Sequence, residues 1–344
     1  MHRLLCPADW TPHLVQELER SFPATVHQIV RPGRVETALP GGAGHPLPPL
    51  VFARQMLLAP QFVEFSSIRL GAERLAGQLM AVLPEGQPWQ LHVEPDYGSG
   101  RAGQHRCQLL REGLDEQLKR TRRQVLRQRR PVAAAFAPEE SLVQVLLDTP
   151  DRGWVSVAVA PLPYVHRRVI SPFPLGEIQP PIDKTAPSRA FAKLVEAECR
   201  LGRSIATGET CVDLGASPGS WTYVAVKRGA TVTAVDRSPL RVDLMREPRV
   251  RFHAGDAFTF FPDKPVDWLL CDVIAAPERS MKLLLDWAFA RRMRHFVVTV
   301  KFRGDAEYPQ LDLLKQRLLP ICTEFFLSRL CANKNEACAF GTLR

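Results

Sequence analysis

The chain has 344 residues, with 45 lysines and arginines against 36 acids, a net charge of +9 and a pI near 9.4. That length suits two or three domains, and the basic excess points to an acidic partner, nucleic acid first. No apolar run reaches the roughly 18–20 residues needed to span a bilayer, residues 1–10 carry no signal-peptide pattern, and the eight cysteines form no C-x-x-C pair. No metal site or disulfide framework is expected, and free thiols fit a reducing cytoplasm.

Residues 1–60 read as a small α+β module, with a helix over 12–22, an irregular Gly/Pro loop at 40–49 and a short buried segment or strand at 51–58. Residues 61–165 read as a second module. A helix is expected over 72–83, a strand over 89–93, and a long helix over 106–129 carrying Leu110, Leu114, Leu118 and Leu126. Two strands at 141–147 and 154–160 are joined by a turn. The long helix ends in Lys119, Arg120, Arg122, Arg123, Arg127, Arg129 and Arg130, with no acid among them. Such a face can bind RNA phosphates through counterion release, or it can be a solvated helix end. Prolines recur from Pro161 to Pro187, and residues 166–187 read as a stiff connector. The last stretch, 188–344, opens with a helix capped by Ser188 and stopped by Gly202.

That last stretch is organised around residues 211–236, CVDLGASPGSWTYVAVKRGATVTAVD. A strand over 210–214 leads into a turn of small residues, a helix over 220–227 and a second strand over 231–235 ending at Asp236. A dinucleotide site would read G-x-G-x-x-G, built to seat a pyrophosphate. Here Asp213, Gly215, Pro218 and Gly219 stand instead, and an acid at the head of the turn repels phosphate and suits a cationic ligand. Strands then alternate with helices: 250–253, 266–271, a helix over 279–290, 295–300, a helix over 311–319, and a closing hairpin of 322–327 with 336–340. The alternation predicts an α/β fold with a mostly parallel sheet whose ligand edge lies at the strands' carboxyl ends.

The Asp213 to Gly219 pattern resembles the first motif of the class I methyltransferases, which bind S-adenosyl-L-methionine. The resemblance implies a Rossmann-like fold and a cofactor site formed by Asp213, Gly215, Ala216, Ser217, Pro218, Gly219, Trp221, Asp236, Asp256 and Asp272. It also implies a last strand running antiparallel beside strand five, which would bring Glu336 to the rim that Asp272 and Lys301 reach. With Lys193 on the flanking helix, the set Lys193, Asp272, Lys301 and Glu336 resembles the K-D-K-E tetrad of ribose 2′-O-methyltransferases. Arginine outnumbers lysine 36 to nine, and only lysine can act as a base. Neither N-P-P-Y nor a Pro-Cys nucleophile follows strand four, which disfavours base methylation.

Phe52-Ala-Arg-Gln55, Ala186-Pro-Ser-Arg189 with Lys193, Asp213 through Tyr223, and Val226-Lys-Arg228 together resemble the RlmM family. These are THUMP-containing bacterial enzymes that methylate a cytidine ribose of 23S rRNA. The resemblance implies a ferredoxin-like N-terminal part, a THUMP-like RNA-binding part near 61–165 and RNA as partner, with neither membrane nor DNA. Pro-Gly-Ser replaces the family's Pro-Gly-Gly. A base methyltransferase acting on rRNA or tRNA, and a catalytically silent RNA-binding or ribosome-assembly protein, remain the competing readings, and oligomeric state stays open.

Overall fold

A computed structural model describes residues 1–39, 47–98, 101, 103–131, 137, 139–162, 164–178 and 182–344. Most of the loop expected at 40–49, and three of the recurring prolines (Pro163, Pro180, Pro181), lie outside the described residues. The chain divides into two compact units, Met1–Leu47 with Phe52–Glu177, and Pro48–Val51 with Ile178–Arg344.

The first unit carries two four-stranded sheets. Strands β1 (His2–Leu5), β2 (His27–Arg31), β3 (Arg34–Thr37) and β4 (Gln55–Leu57) form the first, in the order β2-β3-β1-β4, with helix α1 (Thr11–Ser21). The second contains β5 (Gln61–Glu64), β6 (Trp89–Pro95), β7 (Ser141–Thr149) and β8 (Arg152–Ala158), in the order β5-β8-β7-β6. Helices α2 (Ile68–Val82), α3 (Gln104–Thr121), α4 (Arg123–Arg127) and α5 (Tyr164–Arg167) complete the unit. Leu75 and Leu79 of α2 and Leu110, Leu114 and Leu118 of α3 recur at helical spacing. They form one core with Trp89, Leu91, Val93, Val143 and Val145, which alternate along β6 and β7.

The single helix expected over 106–129 is two. It breaks at Arg122, whose backbone leaves the helical region at φ −150°, ψ 64°. Lys119 and Arg120 in the last turn of α3, with Arg122 and Arg123 just beyond it, crowd like charge at the break. Thr121 also turns its hydroxyl back to the Gln117 carbonyl at 2.8 Å, which weakens helix continuation.

The second unit holds α6 (Phe191–Leu201), β9 (Thr210–Leu214), α7 (Ser220–Lys227), β10 (Thr231–Asp236), α8 (Val242–Met245), β11 (Val250–Ala254), β12 (Val266–Cys271), α9 (Pro277–Phe289), β13 (Met293–Lys301), α10 (Leu311–Leu318), β14 (Cys322–Ser328) and β15 (Glu336–Leu343). Its seven strands run β11-β10-β9-β12-β13-β15-β14. Strands β9 to β13 pair in parallel, and β15 is inserted antiparallel between β13 and β14. The order reverses between β9 and β12, the switch point where ligands bind in open α/β sheets. Trp268 to Cys271 and Phe296 to Val300 are almost wholly buried, as strands covered on both faces must be. Gly202 ends α6 in the left-handed conformation, but Ser188 does not cap it. The helix begins at Phe191, and the Ser188 hydroxyl accepts from the Ala190 amide one turn earlier.

Candidate active site

The turn after β9 needs its glycines. Gly215 has φ +71° and Gly219 φ +107°, and a Cβ at Gly219 would lie 2.3 Å from the Leu244 side chain. Gly215 and Ala216 both donate to the Val235 carbonyl, so the turn folds back on β10. At the end of β10, Asp236 accepts from the Ser217 amide with Oδ2 (3.0 Å) and from the Ser238 amide with Oδ1 (2.8 Å). Each oxygen has one lone pair left for a diol. Asp256, two residues beyond β11, is engaged by the Phe258 amide and the Arg237 guanidinium (2.6 Å), and these hold its carboxyl below the usual carboxylate range.

Two of the expected cofactor residues, Asp213 and Trp221, have buried side chains with partners inside the protein. Asp213 is 2% exposed, and its Oδ2 accepts from the Thr222 amide (2.9 Å) and hydroxyl (2.6 Å). It therefore ties α7 to β9 rather than forming an open acidic mouth. Burial, opposed by those two hydrogen bonds, pushes its carboxyl up to about 7. Trp221 is buried and donates from Nε1 to the Ala190 carbonyl at 2.8 Å, locking α7 against the start of α6. Ser217 gives its hydroxyl to the Pro239 carbonyl. Sequence shows that such residues lie in a turn; it does not show which way they point.

Four side chains from four elements meet beyond the switch point. Lys193 Nζ, in the first turn of α6, lies 3.0 Å from both Asp272 oxygens and 2.6 Å from Glu336 Oε1. Lys301 Nζ, at the end of β13, lies 3.0 Å from Asp272 Oδ1 and 3.5 Å from Glu336 Oε2. Two lysines and two carboxylates balance in charge, which makes their shared burial tolerable. Lys193 is the more enclosed of the two, with 9% of its side chain exposed against 23% for Lys301. Burial works against the Lys193 charge, but Asp272 and Glu336 outweigh it and hold its ammonium above the ordinary lysine value. Glu336 is shifted the opposite way: burial disfavours its charge, and contact with both lysines leaves its carboxyl lowered.

Sequence reasoning missed the residues behind this network. Thr299 Oγ1 donates to Asp272 Oδ1 at 2.7 Å. It lies two residues before Lys301, on the same face of β13, and that spacing is the signal that could have found it. Asn335 exchanges backbone and side-chain bonds with Phe302 and accepts from the Tyr308 hydroxyl at 2.6 Å. It extends the β13–β15 pairing past Lys301 and Glu336.

In the first unit, a cleft of about 960 Å³ is lined by Arg101, Arg111, Arg129 and Arg130 with His105, Glu112 and Asp115. The basic segment is less free of acids than its sequence suggests. Arg129 grips Asp115 with both terminal nitrogens, and Arg122 meets Glu85 at 3.3 Å. Among the described residues, Lys119, Arg120, Arg123 and Arg127 show no ion pair and remain available to phosphate.

All eight cysteines are free. No helix of the described residues is long and apolar enough to cross a membrane.

Residues 186–311 match the FtsJ-like methyltransferase family, and the second unit has that Rossmann-type fold. The chain is 34% identical over 185 residues to the Ribosomal RNA large subunit methyltransferase M of Thauera aminoaromatica, covering 51% of each chain. It is 30% identical over 218 residues to the protein of that name from Azoarcus sp. strain BH72, covering 60% of this chain and 58% of that one. It is 37% identical over 152 residues to the one from Stutzerimonas stutzeri strain A1501, covering 42% and 44%. The chain is similar to these proteins and spans about half the length of the curated relatives it matches.

Proposed function

We propose, from an FtsJ-like methyltransferase domain in a relative of the RlmM proteins, that this chain is an S-adenosyl-L-methionine-dependent RNA ribose 2′-O-methyltransferase. Its substrate is 23S rRNA, at a cytidine, and it works in the cytoplasm. The observation that carries the reading is the closed network of Lys193, Asp272, Lys301 and Glu336.

The edge at β9 and β10 suits the cofactor. Asp236 keeps acceptor capacity for a ribose diol, and the glycine turn admits close backbone approach. The Asp236 carboxylate, held by two backbone amides, complements a positively charged ligand. S-adenosyl-L-methionine, when bound, supplies an electrophilic methyl carbon on a sulfonium. The chain's own residues prepare the other reactant. A ribose hydroxyl is a poor nucleophile until it loses its proton. Lys301, the more open amine, accepts that proton in its neutral form, and the 2′-oxygen is freed to attack. The new ammonium is then held by Asp272 and Glu336. Lys193 spans both carboxylates and fixes their positions, so the site is organised before RNA arrives.

The test is methyl transfer to ribosomal RNA lacking its native modifications, with the product digested by nuclease and read by mass spectrometry. A 2′-O-methylcytidine is expected. A methyl group on a base, or no transfer at all, rules out this reading.

A further inference from the structure

We infer that Thr299 is a positioning residue of the tetrad: its hydroxyl takes up part of the Asp272 charge and so limits how strongly that carboxylate holds Lys301 in the charged form. This inference rests on the ribose-methylation reading.

Asp272 Oδ1 is the most heavily used oxygen of the site. It faces Lys193 Nζ at 3.0 Å, Lys301 Nζ at 3.0 Å and Thr299 Oγ1 at 2.7 Å. Thr299 is fully buried, and among the described residues its other acceptor contact is a long one of 3.5 Å to the Cys271 carbonyl. A β-branched residue inside a strand has a restricted χ1, so the hydroxyl is presented to Asp272 without a search. The site must satisfy two opposed demands. The carboxylates have to hold the lysines in place, yet Lys301 has to release its proton to become a base. A neutral donor on Asp272 serves both. It fixes the carboxylate's orientation and draws negative charge away from the amines, adding no charge of its own. The other ionisable groups around Asp272 are Lys193 on α6, Glu336 and Cys338 on β15, Asp213 on β9, and its neighbour Cys271 on β12. Among these and Lys301, Thr299 is the neutral hydroxyl donor.

The experiment compares single-turnover rates over a range of pH for the wild-type chain, Thr299→Val, Thr299→Ala and Thr299→Ser, with saturating S-adenosyl-L-methionine and rRNA. Thr299→Val keeps the shape and deletes the donor. Near neutral pH it should slow methyl transfer by about 10- to 100-fold, in line with the strength of a hydrogen bond to a charged group. The rising limb of its rate–pH profile should move to higher pH. Cofactor affinity should be unchanged. Thr299→Ala, which also loses the methyl group, should show the same displacement, so the test survives poor folding of either variant. Thr299→Ser should restore the wild-type profile. If the valine and alanine variants are slower at every pH by a constant factor, or match the wild type, the inference is overturned and ribose methylation stands. A wild-type chain that methylates no ribose overturns the functional reading and this inference with it.

Discussion

Lys301 and Glu336 face each other as directly paired residues in the antiparallel ladder between β13 and β15. One is the last residue of its strand and the other the first of its own. Antiparallel insertion makes this possible: it brings the beginning of β15 to the edge where β12 and β13 end. The register continues through Val298↔Ala339 into a fully buried core. A slip of one residue would turn Glu336 to the other face of the sheet. The position of the acid is therefore set by core packing as well as by its own ion pairs.

Lys301→Arg tests the assignment of the base. Arginine keeps the charge and much of the reach, but it cannot give up a proton at neutral pH. The variant should bind S-adenosyl-L-methionine and RNA as the wild type does and lose methyl transfer by about 10²–10⁴-fold. Single-turnover rates near the wild-type value would eliminate Lys301 as the base and move attention to Lys193.

Asp236→Ala concerns the cofactor. The substitution removes the acceptor offered to a ribose diol and frees the Ser217 and Ser238 amides. Calorimetry should show binding of S-adenosyl-L-methionine weakened by about 1.5–3 kcal/mol, the range for hydrogen bonds to a charged group. Unchanged affinity in a folded variant would remove Asp236 from the site.

The basic segment can be probed away from the tetrad. Arg120, Arg123 and Arg127 show no ion pair among the described residues, whereas Arg129 is committed to Asp115. Reversing those three to Glu should weaken RNA binding and flatten its dependence on salt, since fewer counterions are released. Cofactor affinity should hold. RNA binding with an undiminished salt slope would make this face merely solvated.

Asp213 carries a pH prediction for stability. Burial raises its carboxyl to about 7, above its unfolded value of 3.8. The unfolded chain therefore releases this proton first, and the contribution of Asp213 to stability falls as pH rises between those two values, by up to about 1.4 kcal/mol per unit. Asp213→Asn keeps a carbonyl acceptor for the Thr222 amide and hydroxyl and never ionises. Its melting temperature, relative to wild type, should climb from pH 4 to pH 7 and then level off. A constant difference across that range would mean that Asp213 titrates normally.

The sheet was legible because it depends on pattern, and Lys193 and Glu336 were added to its edge by the family resemblance. Apolar strands alternate with helices, and parallel strands deliver Asp272 and Lys301 to one edge. What was not legible depends on where individual side chains turn. Asp213 and Trp221 lie in the right motif, yet one binds the first turn of α7 and the other reaches back to Ala190. Those bonds are made only once α6, β9 and α7 are assembled. The break at Arg122 was hidden for another reason. Apolar periodicity continues through Val125 and Leu126, while backbone geometry responds to the charges and the threonine between them.

The insertion of β15 between β13 and β14 also orders events in time. During synthesis β14 emerges before the strand that must separate it from β13, so that edge of the sheet has to wait. Three of the four tetrad residues are already made by Lys301, but their fourth member arrives with residue 336. A nascent chain, or one clipped ahead of Glu336, holds two lysines and one carboxylate, an uncompensated positive cluster beside an unfilled gap in the sheet. Completion of the last strand thus balances the charge of the site and fills the gap in the sheet together.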